Sequence, residues 1–234
     1  SAVASVFVDR VRGRVALLGG VLMLTATSAL LMLGWIALMP EQLQALQRDT
    51  GYDWAAVMRG KFAMSFAALF LPTFFSGMTF PIVVKTLGSA RARLGRDVGR
   101  LYFANTFGGV LGALAGGFLV IRWLGTHDGI VALAGLLAAM GAVLLLLAPD
   151  TLPGWRTIAA ACGVAFVLYA WMRAPDDVNE TLNVGYVPKN HRILFSEEGT
   201  EGTVVVSEPK EATDGSGRIL WINRVQGTAS IEKG

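Results

Sequence analysis

Side chains that could do chemistry are few in this sequence and far apart. His127 and His191 are its two histidines, and Cys162 is its one cysteine. Neither histidine has a companion at metal-ligand spacing, so no metal site is expected. Cys162 lies inside an apolar run and has no second cysteine to pair with, which predicts a buried free thiol. No acidic residue falls within any of the long apolar runs. That removes the usual intramembrane partner of a cationic substrate or proton relay. No G-x-G-x-x-G turn follows a strand-like segment, so the phosphate-cradling loop of dinucleotide-binding folds is missing. The most unusual stretch is residues 70–83, FLPTFFSGMTFPIV, where Pro72, Gly77 and Pro81 interrupt an apolar run. A proline removes a backbone donor and favours a kink. Interrupted membrane helices of this kind line substrate sites in transporters. A plain proline kink in a packed helix accounts for the same residues without any site.

The elements that must position these residues are membrane spans. The 234 residues are 53% hydrophobic and only 16% charged, a balance that soluble domains rarely carry. The net charge of +3 is small and its positive part sits in short loops. That pattern speaks of membrane topology, and nucleic-acid binding is not expected. Five spans are predicted, at about 15–39, 62–84, 101–121, 130–148 and 157–172. Residues 101–121 carry no charge and match the length needed to cross a bilayer, about 20 residues. Within them Gly108, Gly112 and Gly116 recur every fourth residue and share one face, a glycine zipper that invites close helix packing. Gly109, Ala113 and Gly117 form a second small stripe beside it. Asn105 and Thr106 are polar groups on the early turns that need partners. The second span carries an aromatic ridge at Phe62, Phe66, Phe70 and Phe74, and its proline segment is the expected packing partner of the glycine face. In the first span Thr25, Thr27 and Ser28 are hydroxyls that backbone carbonyls can satisfy.

The loops set orientation. Residues 41–61 are too polar to cross and suggest short interfacial helices broken at Gly51. The loop over 85–100 holds Lys85, Arg91, Arg93, Arg96 and Arg100 against Asp97 alone, which marks it as cytoplasmic. His127, in the loop after the third span, is expected as a solvated interfacial residue. The fourth span is Ala/Leu-rich and featureless. With five spans and a cytoplasmic basic loop, residues from 174 onward fall on the outer side of the membrane.

After a linker at 174–192 the pattern changes to period two. Strands are predicted at 193–195, 202–206 and 219–222, with Asp214-Gly215 and Ser216-Gly217 as turn signals. The fold class is therefore mainly α: a polytopic membrane helical bundle over residues 1–173, then a small antiparallel β-sheet domain over 193–234. So short a sheet is not expected to be stable alone.

Two separated stretches resemble one family. Gly77, Thr79, Phe80 and Pro81, followed by Gly99, Arg100, Tyr102, Asn105, Thr106, Gly108 and Gly112, are similar to the membrane domain fused to spermidine synthase-like proteins in bacteria. ILFSEEGTEGTVVVSE and RILWINRVQGTAS are similar to the N-terminal β-sheet of polyamine aminopropyltransferases. The resemblance implies a protein whose catalytic domain binds decarboxylated S-adenosylmethionine and uses an Asp to take a proton from the attacking amine. That Rossmann-like domain is expected beyond residue 234, so no catalytic residue and no cofactor are assigned to residues 1–234. Gln226 alone maps, loosely, onto a position that touches substrate or cofactor in the soluble enzymes. The turn departs from the family pattern, with Arg224 where Gly is usual after Asn223.

The resemblance implies a membrane scaffold for an aminopropyltransferase-like protein, with the lipid bilayer and a C-terminal catalytic domain or other subunits as partners. One alternative is an accessory or structural subunit of a larger membrane complex, favoured by the glycine face and the incomplete sheet. A second is a transporter-like carrier with its site at Pro72–Pro81.

Overall fold

The computed structural model describes residues 13–51, 53–87, 94–149, 152–174, 187–188, 190–199, 202–212, 217–223 and 225–229. Arg91, Arg93, the linker over 175–186, the turn residues 214–216 and Arg224 lie outside them, as does the side chain of Gln226. The elements are α1 (Arg14–Asp49), α2 (Trp54–Leu87), α3 (Leu94–Ala115, continued by a π-helical turn at Gly116–Val120), α4 (Ile121–Leu147) and α5 (Pro153–Arg173). Four strands follow: β1 (His191–Gly199), β2 (Gly202–Pro209), β3 (Ile219–Ile222) and β4 (Val225–Ala229).

Among the described residues four helical stretches are long and apolar enough to cross a membrane, against the five spans expected. The expected third and fourth spans fall within one of them, residues 95–147. That stretch is not straight. Gly125 has φ 73° and ψ 179°, outside helical space. A Cβ placed on Gly129 would lie 2.6 Å from the Val120 side chain. In a continuous helix those residues would stand about 13 Å apart, so the chain turns back at Gly125.

The chain divides into two compact units: Ser1–Val110 with Ile130–Pro175, and Leu111–Gly129 with Asp176–Gly234. The helical unit is organised on α1. Its buried side includes Val21, Ala26, Leu30 and Leu33, together with Thr25, Thr27 and Ser28. The three hydroxyls bond to backbone carbonyls of their own helix, those of Val21, Met23 and Thr25, at 2.8–2.9 Å, which removes the cost of burying them. Pro40 does not end this helix as the sequence suggests; it lies inside it, and α1 continues to Asp49. The chain then turns at Gly51 (φ 57°), where a residue without Cβ adopts the left-handed conformation freely. Asp53 starts α2 by accepting the Ala56 N–H at 2.8 Å.

Three sets of contacts fix helix directions around α1. The Arg14 guanidinium donates to the Lys85 carbonyl at 2.6 Å, and the Trp35 indole to the Met64 carbonyl at 3.3 Å, so α2 runs antiparallel to α1. Gly19 faces Gly141 and Leu145 while Met23 faces Gly141, so the later part of α4 is also antiparallel. Gly163 lies against Met23, and Gly34 lies nearest the Arg173 carbonyl, so α5 runs parallel to α1.

The sheet is an antiparallel meander in the order β1-β2-β3-β4, one strand more than expected. Among the strands whose burial is described, β2 is the most buried, with Val205, Ser207 and Glu208 nearly without exposure. Arg192 pairs with Glu208 and Phe195 with Val206 across β1–β2, with a bulge between Ile193 and Phe195. Val205 pairs with Trp221 across β2–β3.

Candidate functional site

The proline segment of 70–83 is the first candidate. α2 is helical throughout, Pro72 and Pro81 included, so the interruption expected there is not a gap in the helix. Pro72 and Pro81 leave the carbonyls of Ala68 and Gly77 without their usual donors. Hydroxyls flank the sites: Thr73 donates to the Leu69 and Phe70 carbonyls, and Thr79 to the Ser76 carbonyl at 2.7 Å. Such bonds to the preceding turn help a helix absorb proline in an apolar setting. Gly77 has open space where a side chain would be. The aromatic ridge forms as expected, with ring centroids 5.4–6.2 Å apart from Phe62 to Phe74 along an exposed face.

The two halves of the membrane motif meet at one point. The ring of Phe80 packs edge-on against Tyr102, centroids 4.8 Å apart, joining α2 to the first turns of α3. The glycine face is open among the described residues. Gly108, Gly112 and Gly116 have no atom within 4 Å of where a Cβ would stand. Asn105 lies on that face, exposed, with no hydrogen bond to its carboxamide among the described residues. Close packing is made elsewhere, by glycines outside that repeat. A Cβ on Gly19 would lie 2.8 Å from the Gly141 carbonyl oxygen, and one on Gly141 equally close to that of Gly19.

Cys162 is free, as expected, but exposed on α5 rather than buried. In a run apolar on all sides, sequence does not say which side is covered. His127 departs from expectation in the other sense. Its side chain is only 14% exposed, its Nδ1 stands 2.8 Å from the Asp128 carboxylate, and its Nε2 is buried without a hydrogen-bond partner. Beside it, Glu198 of β1 accepts the Thr126 backbone N–H at 3.0 Å and the Thr126 hydroxyl.

The sheet holds two polar clusters. Glu208 is 1% exposed and bridges two arginines. It accepts from Arg192 Nη2 at 2.6 Å and Nε at 3.0 Å, and from Arg218 Nε at 3.0 Å. Those donors hold its carboxyl below the usual glutamate range, Arg192 first and Arg218 second, while loss of water pushes the other way. Both guanidiniums are more than half exposed, so they cover the carboxylate and stay hydrated themselves. On the other face Ser207 Oγ receives the Trp221 indole N–H at 2.9 Å and lies 3.2 Å from His191 Nδ1. This is not a nucleophile–base pair: Ser207 has no exposure to a substrate. The strand's V-V-V-S-E alternation could have signalled this cluster, since a Glu and a Ser sit at successive positions of its most apolar strand.

Gln226 lies on β4, where its backbone is paired with Trp221. Asn105 and Gly108 belong to the first compact unit and Gln226 to the second. No cluster of His, Cys, Asp and Glu suited to a metal ion occurs among the described residues. Comparison with protein-family models, with curated proteins and with solved structures gave no match.

Proposed function

We propose that residues 1–234 form the membrane scaffold and leading β-sheet of a polyamine aminopropyltransferase-like protein. The observation that carries this reading is the Phe80–Tyr102 contact. It brings the G-x-T-F-P and G-R-x-Y-x-x-N-T segments, distant in sequence, to one point. The antiparallel meander that follows fits the β-sheet the resemblance implies. The reaction would be attack by a neutral amine on the aminopropyl carbon of decarboxylated S-adenosylmethionine, which needs a carboxylate base and an oriented, water-poor site. In this reading the catalytic domain supplies both, and the part of residues 1–234 is to hold it at the bilayer. Transfer to putrescine by the full-length product of the gene, with none by residues 1–234 alone, is the expected result. Turnover by residues 1–234, or a reading frame without a glycine-rich βαβ unit downstream, would refute it.

The scaffold crosses the membrane five times in this reading. Since α1 and α5 run parallel, an odd number of crossings lies between them in this reading. The later part of α4 runs against α1, as a fourth crossing would, and the turn at Gly125 supports counting residues 95–147 as two crossings. The basic loop after α2 then lies in the cytoplasm. The Thr126–Glu198 hydrogen bonds support placing the Gly125 turn and the sheet on one side of the membrane, which in this reading is the outer one. In a bacterial inner membrane that side is periplasmic. A Glu211→Cys variant in a Cys162→Ser background tests the placement. Labelling by an impermeant maleimide in intact cells is expected, and labelling only after lysis would overturn it.

An accessory-subunit reading rests on a different observation, the uncovered Gly108–Gly112–Gly116 face with Asn105 upon it. Subunits that co-purify in fixed ratio, and are lost on Gly112→Leu, would favour it. The carrier reading loses its main support, since α2 carries both prolines without a break.

A further inference from the structure

The turn at Gly125 opens a helix with no carbonyls behind its first N–H groups. Gly125 is non-helical, so the helix beyond it begins at Thr126. Such leading N–H groups need an acceptor, and together they carry partial positive charge. The residue before a helix usually provides that acceptor from its side chain, and Gly125 has none. Glu198 takes the role from 72 residues away. One of its carboxylate oxygens accepts the Thr126 N–H at 3.0 Å and the other accepts the Thr126 hydroxyl.

We infer that Glu198 is a latch: it supplies the cap that Gly125 cannot, and so fixes the β-sheet to the hairpin turn of residues 116–129. Without it the sheet would be held to the hairpin by chain connection and weaker contacts. Two features suit a contact that can open. Both partners are exposed, so water can replace either bond. β1 is an edge strand, so Glu198 can let go without disturbing more than one strand pairing. The turn itself is built to stay in place, because the close approach of Val120 to Gly129 leaves no room for a side chain at residue 129. The hairpin is therefore the fixed half of the latch and the sheet its movable half.

The test uses the full chain in native membranes. Thr126→Cys with Glu198→Cys, in a Cys162→Ser background, is treated with a short bifunctional methanethiosulfonate that spans the length of the lost glutamate side chain. An intramolecular cross-link is expected in the double variant and in neither single one. Two alkylatable thiols with no cross-link would overturn the inference. Should the double variant fail to insert, Glu198→Ala decides by hydrogen exchange. The amides of residues 126–129 are expected to exchange about tenfold faster, the effect of losing a charge-assisted bond, with α1 unchanged. Unaltered exchange at 126–129 would equally overturn it.

Discussion

Replacing Gly19 by alanine tests where this protein makes its closest helix contact. The new Cβ would stand 2.8 Å from the Gly141 carbonyl oxygen, 2.9 Å from Leu145 Cγ and 3.0 Å from the Leu145 nitrogen. Two of those atoms are backbone, so no rotamer change relieves them, and α1 and α4 must part. Overpacking of this kind costs about 1–3 kcal/mol. In lipid the loss is not offset by hydrophobic gain, because helix association there rests on close packing. Gly141→Ala meets the Gly19 carbonyl oxygen at 2.8 Å and Met23 Cγ at 3.1 Å, and should cost a similar amount. The double variant should cost less than the sum, because one separation of the helices relieves both clashes. Gly112→Ala is the control. It has no atom within 4 Å, and alanine is the better helix former by up to about 1 kcal/mol. It should be neutral or stabilising. The assay is the unfolding midpoint in mixed micelles on titration with a denaturing detergent, followed by tryptophan fluorescence. A wild-type midpoint for Gly19→Ala would refute the reasoning, as would a loss for Gly112→Ala as large as that for Gly19→Ala.

Gly202→Ala should loosen the sheet, because its Cβ would run into the Asn223 carboxamide and break the 3.0 Å bond from the Thr203 N–H to Asn223 Oδ1. A cost of about 1–3 kcal/mol is expected, read as lost amide protection across β2 and β3. Glu208 gives the sheet a pH dependence of known sign. Its folded pKa is depressed, so its contribution is complete at neutral pH and is lost as pH falls below the ordinary value of 4.5 and through the lowered one. Protease resistance of the sheet should decline over that acidic range in the wild type, and Glu208→Gln should be weaker at neutral pH with a flatter profile. A double-mutant cycle on Phe80→Ala and Tyr102→Ala should give a coupling of about 0.5–1.5 kcal/mol, and zero coupling would separate the two halves of the motif.

The helices were readable from composition, but their buried sides were not. In water a helix shows its core by an apolar stripe, and in lipid the outward side is apolar as well. Phe62 to Phe74 forms a regular ridge and is exposed, whereas Val21 and Ile82, which belong to no regular repeat, are buried together. Glycine spacing is equally silent about partners. A repeat of four at Gly108, Gly112 and Gly116 marks a smooth face, and nothing in one sequence says whether another helix lies on it. Gly19 and Gly141, which belong to no such repeat, carry the contact, because each needs only one missing side chain opposite the other. Cys162 belongs with these cases: its free state followed from its being alone, but its exposure did not.

The sheet was more legible because one side of it is polar. Alternation predicted β2 and β3 within a few residues, while the short β4 contains a glycine and carries little apolar signal. Candidate chemistry was least legible where it depends on pairing across strands. Glu208 reads as a surface charge until Arg192 is placed opposite it and Arg218 beside it. Glu198 reads likewise until the turn at Gly125 leaves Thr126 without a cap. Both glutamates sit at strand ends, two positions where the chain itself leaves positive groups unmet. A sequence pattern of acidic strand ends beside basic flanks or glycine turns therefore marks where a small sheet borrows its stability. In this chain one such end closes the sheet upon itself, and the other ties it to the membrane hairpin.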